Sequence, residues 1–147
     1  MWVDADACPN VIKAILFKAA ERTGIPLTLV ANQPLTVPRL KHIRCLVVEQ
    51  GFDVADNRIV GEVAAGDLVV TADIPLAADV LKRKAIAVNP RGMVYTQDNI
   101  DSHLRRRNFL EGLRATGEIT GGPPSLDKAD VQKFANALDR WLQAAKR

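Results

Sequence analysis

Residues 66–81 read GDLVVTADIPLAADVL. Leu68 to Thr71 is a short unbroken apolar run without polar alternation, which predicts a strand buried on both faces, as in a parallel sheet. Pro75 follows at a place a helix tolerates well, its first turn, where the missing N–H is no loss. Leu76, Ala77, Val80 and Leu81 then recur at helical spacing and give one apolar face. A buried strand feeding straight into an amphipathic helix is half of a βαβ crossover. Asp73 is left standing at the junction.

The same pattern recurs on both sides. Upstream, Trp2 to Asp4 reads as a strand, followed by a helix from about Pro9 with Val11, Ile12, Ile15, Leu16, Ala19 and Ala20 on one face. Gly24 suits the position just past its end. Ile25 to Val30 reads as a second strand, and Asn32 to Arg44, with Pro34 and Pro38, as a loop carrying a short helix. Ile43 to Val48 (IRCLVV) is another run of the doubly buried kind. A short helix using Ile59, Val60, Val63 and Ala64 ends at Gly66, and Ala85 to Val88 (AIAV) is the next strand. Alternating strands and helices predict an α/β fold of three layers, a mostly parallel central sheet flanked by helices.

Beyond Asn89 the pattern changes. Asn99 to Ala115 is helical but heavily charged, Glu118 to Ser125 (EITGGPPS) is a glycine- and proline-rich loop, and a last helix follows. Ser125 or Asp127 caps it, and Val131, Phe134, Ala135, Leu138 and Leu142 share its apolar face. Trp141 on that helix serves either the core or a contact with another subunit. Residues 1–147 thus form a single domain, with a C-terminal helical segment from about 99 to 147.

Composition narrows the function classes. The 147 residues are 48% hydrophobic and 25% charged, ordinary for a globular domain able to bury its own core. No apolar run approaches the roughly 20 residues of a membrane span. The first strand starts at once after Met1, which leaves no room for a signal peptide and predicts a cytoplasmic location. Cys8 and Cys45 make no CxxC pair, so a disulfide framework or cysteine-rich zinc site has little support. Neither His42 nor His103 stands in a spacing that suits Cys-His catalysis. The net charge of +3 permits an anionic partner.

In a parallel sheet, ligands bind outside the carboxyl ends of the strands. Asp4 ends the first strand, Asp73 follows LVVT, and Asp53 and Asp56 follow IRCLVV in GFDVAD, so all four are expected at one edge. Gathered carboxylates raise one another's pKa and coexist only with a cation or with shared protons. An oxygen-only donor set suits a hard cation, Mg²⁺ or Mn²⁺, and such a site suits phosphodiester hydrolysis. Each aspartate also has a plainer reading: Asp6 or Asp73 as a helix N-cap, Asp53 and Asp67 as turn residues. Cys8, ahead of a helix N-terminus, is either a dipole-stabilised thiolate or a small buried hydrophobe. Lys13 lies one turn into the same helix, near the acids or on a solvated face.

VDADACP at 3–9, DVADNRI at 53–59, GDLVVTADIPLA at 66–77, NPRG at 89–92 and GEITGGPP at 117–124 occur in this order over nearly the whole chain. Together they resemble the YaiI/YqxD family of uncharacterised bacterial proteins, which is grouped with the PIN-like nuclease superfamily. The resemblance implies a PIN-like fold in which Asp4, Asp56 and Asp73 hold Mg²⁺ or Mn²⁺, with Asp53 competing for the middle position. Thr71 would support the site through its hydroxyl. Asp79 matches a fourth acidic position from further along its helix. Asp6 and Cys8 are additions that most PIN nucleases lack.

Arg105, Arg106, Arg107 and Arg114 lie on the charged helix and Arg91 follows AIAVNP. Guanidinium groups near a metal-carboxylate centre suit a phosphate backbone. Three consecutive arginines cannot share one face, so at least one is solvated or paired with Glu111. With aromatics at 5%, backbone contacts should outweigh base stacking. The sequence therefore predicts a nuclease, acting most readily on RNA, with Asp4, Asp6, Asp56 and Asp73 as catalytic groups. Arg91, Arg105, Arg106 and Lys13 would bind phosphate. The alternative is a non-catalytic protein that binds a metal or phosphate ligand and docks RNA or a protein partner.

Overall fold

The computed structural model describes residues 1–51, 53–118 and 125–145, and its strands make one six-stranded sheet. The strands are β1 (Trp2–Asp4), β2 (Leu27–Ala31), β3 (Ile43–Val47), β4 (Leu68–Val70), β5 (Ile86–Val88) and β6 (Val94–Tyr95). Their order is β3-β2-β1-β4-β5-β6, with β1 to β5 parallel and β6 antiparallel to β5. The chain therefore starts in the middle, builds outward to β3, and returns to lay β4 on the other side of β1. That reversal puts a topological switch point between β1 and β4, where a crevice opens beyond the strand ends.

Among the described residues, five α-helices cover the sheet: α1 (Asn10–Thr23), α2 (Val54–Glu62), α3 (Ile74–Lys82), α4 (Ile100–Ala115) and α5 (Lys128–Ala145). The pleat sends alternate strand residues to opposite layers. Val3, Leu29, Leu68, Val70 and Val88 meet Ile12 and Leu16 of α1 and Phe134, Leu138 and Leu142 of α5. Trp2, Val30, Val69 and Ala87 meet Ile59 of α2, Leu76 and Val80 of α3 and Ile100 of α4. The three-layer α/β prediction holds, and no helix among the described residues is long and apolar enough to cross a membrane.

Several local expectations change. A 3-10 turn, Ala5–Ala7, follows β1, so Pro9 sits at the cap position of α1 and not inside it. No helix forms in residues 32–42. IRCLVV is an edge strand, not a doubly buried one: Arg44 is exposed and Val47 is 52% exposed. A charged side chain on such an edge discourages pairing with another chain. The two-residue β6 is too short for periodicity to announce. Of GEITGGPP, residues 119–124 lie outside the described residues, as does Phe52 of GFDVAD.

The last helix is capped by Asp127, whose Oδ1 accepts from the Asp130 N–H at 2.8 Å. Its docking depends on Gly92, at φ 86, where an added Cβ would lie 2.4 Å from the Lys133 carbonyl carbon and 2.5 Å from the Phe134 nitrogen. Only glycine permits that approach of backbone to backbone. Trp141 packs against the core and donates from Nε1 to the Gly66 carbonyl at 3.0 Å.

A candidate acidic site at the switch point of the sheet

Thr71, the first residue after β4, is 1% exposed and joins the two central strand ends. Its hydroxyl donates to Asp4 Oδ2 at 3.1 Å and accepts from the Asp73 N–H at 3.0 Å. Asp73 in turn caps α3, its Oδ1 accepting from the Leu76 N–H at 3.0 Å. Asp73 is thus the N-cap of α3, and the cap fixes its side chain at the edge. Asp56 lies in the first turn of α2, and its carboxyl shares a hydrogen bond with that of Asp73. Three separate segments deliver Asp4, Asp56 and Asp73 to one place.

Electrostatics records the crowding. Burial raises the pKa of Asp4; the Thr71 hydrogen bond pulls it back, and the charges of Asp73 and Asp6 push it further up. Asp56 is pushed up to about 7, first by burial, then by the charges of Asp73 and Asp4, by the hydrogen bond with Asp73, and by Asp53. Every charge named here is negative. Near neutral pH, Asp56 is accordingly partly protonated, as burial among like charges dictates.

The remaining predicted residues fall around this centre with different roles. Asp6 is exposed and does not cap α1: its Oδ2 accepts from the Asn32 N–H at 2.9 Å, tying the 3-10 turn to the loop after β2. Asp53, at φ 63, turns the chain into α2 and contributes charge to Asp56. Asp67 is a turn residue, accepting from the Ala64 N–H at 2.9 Å. Asp79 is exposed and lies 3.9 Å from the Lys82 ammonium. Cys8 is 7% exposed, and burial pushes its thiol up to about 12, so the dipole-stabilised thiolate is replaced by an inert buried thiol. Lys13 acts on Cys8 by its charge and lines a groove with Phe17, Leu29 and Leu35.

Of the arginines, Arg107 pairs with Glu111 at 3.1 Å, one of the two outcomes expected for the run of three. Arg105 and Arg106 are exposed on α4, a helix packed against α3. Arg91 binds Asp130 at 2.6 Å, linking the loop after β5 to α5. It also lines a cleft of about 280 Å³ with Ala7, Ala72 and Asn89, beside Asp6 and Asp73.

Sequence reading passed over Asn89 and Tyr95. Asn89 Oδ1 accepts from the Arg91 and Met93 N–H groups at 2.9 and 3.0 Å, and its side chain hydrogen-bonds Tyr95. Tyr95, 3% exposed, has its phenol pKa raised by burial, lowered by that bond and raised again by the charge of Asp73. The NPRG motif held the signal for Asn89. Nothing in the sequence pointed to Tyr95.

The donor set fits a hard cation in kind, being carboxylate oxygen alone. In arrangement it is open: among the described residues, no three His, Cys, Asp or Glu side chains are placed to hold an ion together. Mg²⁺ usually keeps several waters and needs only one or two protein carboxylates, and Asp56 and Asp73, whose carboxyls share a hydrogen bond, are the pair that would hold it.

A family model described as "Uncharacterized BCR, YaiI/YqxD family" matches residues 2–144. A UPF0178 protein of Klebsiella pneumoniae (strain 342) is 64% identical over 147 residues, which cover 100% of this chain and 97% of that one. A UPF0178 protein of Yersinia pestis (strain Pestoides F) is 59% identical over 146 residues, covering 99% and 96%. No solved structure matches. With the motifs, the family model and these relatives agreeing along its length, the chain belongs to the YaiI/YqxD family.

Proposed function

We propose that the acidic edge is the active site of a cytoplasmic, PIN-like, metal-dependent phosphodiesterase that acts on nucleic acid, RNA foremost. One observation carries most of this reading: Asp4 and Asp56 are held above their ordinary pKa by burial and by neighbouring acids at the switch point. Such crowding disfavours the folded state and is relieved by a dication. Bound Mg²⁺ or Mn²⁺ would supply a more acidic water and a charge sink for the leaving oxygen. Asp56 and Asp73 would hold it, with Asp4 beside them. Thr71 keeps Asp4 in place, and the α3 N-terminus does the same for Asp73. Arg105 and Arg106 give positive charge for a phosphate backbone, and Arg91 and Lys13 add to it from the flanking clefts.

The test is cleavage of single-stranded RNA by purified protein with Mn²⁺. Wild type should cleave, and Asp4→Asn combined with Asp73→Asn should lose about a hundredfold or more, the scale of losing preorganised charge at a reacting centre. Asparagine keeps the cap on α3, so folding should survive. Undiminished cleavage by that double variant would remove the mechanism.

A second reading draws on the open donor arrangement: a non-catalytic protein that holds a metal or a phosphorylated ligand and docks RNA or a protein. Mn²⁺ binding by calorimetry, without turnover of RNA, DNA or nucleotides, would favour it.

A further inference from the structure

A second cleft, of about 420 Å³, opens at the opposite edge of the sheet, where β1, β3 and β4 begin. Its walls include Trp2 on β1, Trp141 on α5, Lys41 and His42 before β3, Arg44 on β3 and Asp67 before β4. The chain has two tryptophans, and both lie here although they come from opposite ends of it. Trp2 Nε1 donates to Asp67 Oδ2 at 3.2 Å and Trp141 Nε1 to the Gly66 carbonyl at 3.0 Å, which fixes both rings. The Asp67 carboxylate also accepts from the Ala64 N–H, so two donors offset its charge.

The N-terminal ammonium of Met1, also in the wall, donates to the Pro26 carbonyl at 2.7 Å. Lys41 and Arg44 are exposed, and neither forms an ion pair among the described residues. Arg44 is nonetheless aimed, because its Nε donates to Thr28 Oγ1 at 3.2 Å. His42 Nε2 lies 2.8 Å from the Ala20 carbonyl, which ties the approach to β3 onto α1. An anchored guanidinium and an ammonium beside fixed indole rings make a site selective for flat, negatively charged molecules. The volume lies within the ordinary range of small-ligand sites, about 300–1,000 Å³.

We propose that this cleft is a second binding site, distinct from the acidic edge, for a small planar aromatic anion of nucleotide size. Its ring would lie against Trp141, the indole that is only part-buried, and its anionic group would meet Lys41 and Arg44. The site is independent of the nuclease reading and stands or falls without it.

Intrinsic tryptophan fluorescence reads the site directly, since both fluorophores line it. AMP should change the emission saturably, while adenosine, which lacks the charge, and inorganic phosphate, which lacks the ring, should each bind at least tenfold more weakly. Lys41→Glu with Arg44→Glu should weaken AMP binding at least tenfold, and Lys41→Gln with Arg44→Gln should fall between. Both pairs are on exposed side chains, and circular dichroism confirms that the variants fold. Asp4→Asn, at the far edge, should bind AMP as wild type does. The proposal is overturned if neither AMP nor 1-naphthalenesulfonate gives a saturable change, if binding survives the double charge reversal, or if Asp4→Asn abolishes it.

Discussion

At the C-terminal edge of the sheet, Asp4, Asp56 and Asp73 stand together against their own repulsion, whereas at the N-terminal edge Asp67 accepts from two N–H groups and the cations face solvent. The same strands supply both edges. The difference follows from where helices start: α2 and α3 begin at the C-terminal edge and bring an acid each, one of them as a cap. The acid of the N-terminal edge is satisfied by hydrogen bonds made on folding. The crowded acids of the C-terminal edge lower stability, a cost that the proposed dication would relieve.

The contrast can be broken most drastically at Gly92, because α5 serves both edges through Asp130 at one and Trp141 at the other. Gly92→Ala sets a Cβ into the α5 backbone at a positive φ. A loss of about 3 kcal/mol is expected, at the upper end of overpacking costs. Urea unfolding followed by tryptophan emission would measure it, and a wild-type midpoint would contradict the docking described here.

A smaller effect should follow from Thr71→Val, which removes one hydroxyl serving both Asp4 and Asp73. The part-buried Asp73 N–H loses its acceptor, and about 1.5 kcal/mol of stability should go with it. The same change should raise the Asp4 pKa further, because the Thr71 bond is what now pulls it down. Carboxyl titration by NMR would detect that movement, and its absence would show that the hydroxyl does not govern Asp4.

The finest test is pH. With its pKa at about 7, folded Asp56 binds a proton that an unfolded aspartate, near pKa 3.9, has already lost. Stability therefore falls as pH rises from about 4 to about 7, then levels. Asp56→Asn removes this penalty and should be more stable than wild type at pH 8 by about 1 kcal/mol, after allowing for solvent screening of a part-exposed carboxyl. Melting temperatures at pH 5 and pH 8 would show it; an equal drop in both proteins would place the penalty elsewhere. Mn²⁺ should raise the wild-type melting temperature more at pH 8 than at pH 5, since a proton competes for the same oxygens.

Much of the acidic edge was legible in advance. Asp4 and Asp73 follow apolar runs that read as parallel strands, and parallel strands share an edge. Choosing between Asp53 and Asp56 needed the left-handed turn at Asp53, which starts α2 and sets Asp56 beside Asp73. The other edge was not legible, because Trp2, Asp67 and Trp141 are remote in sequence and only packing makes them neighbours.

Sequence by itself determined the α/β alternation and the apolar faces of α1 (Val11 excepted, being exposed), α3 and α5, and it offered Asp73 and Asp127 among the cap candidates. Those features depend on periodicity and hydrogen bonds that act within a turn or two of the chain. The tertiary structure alone decided that IRCLVV is an edge strand, that Arg91 binds Asp130, and that Cys8 is an inert thiol. Strand order and desolvation depend on which distant segments pack together, and no local pattern of residues records that.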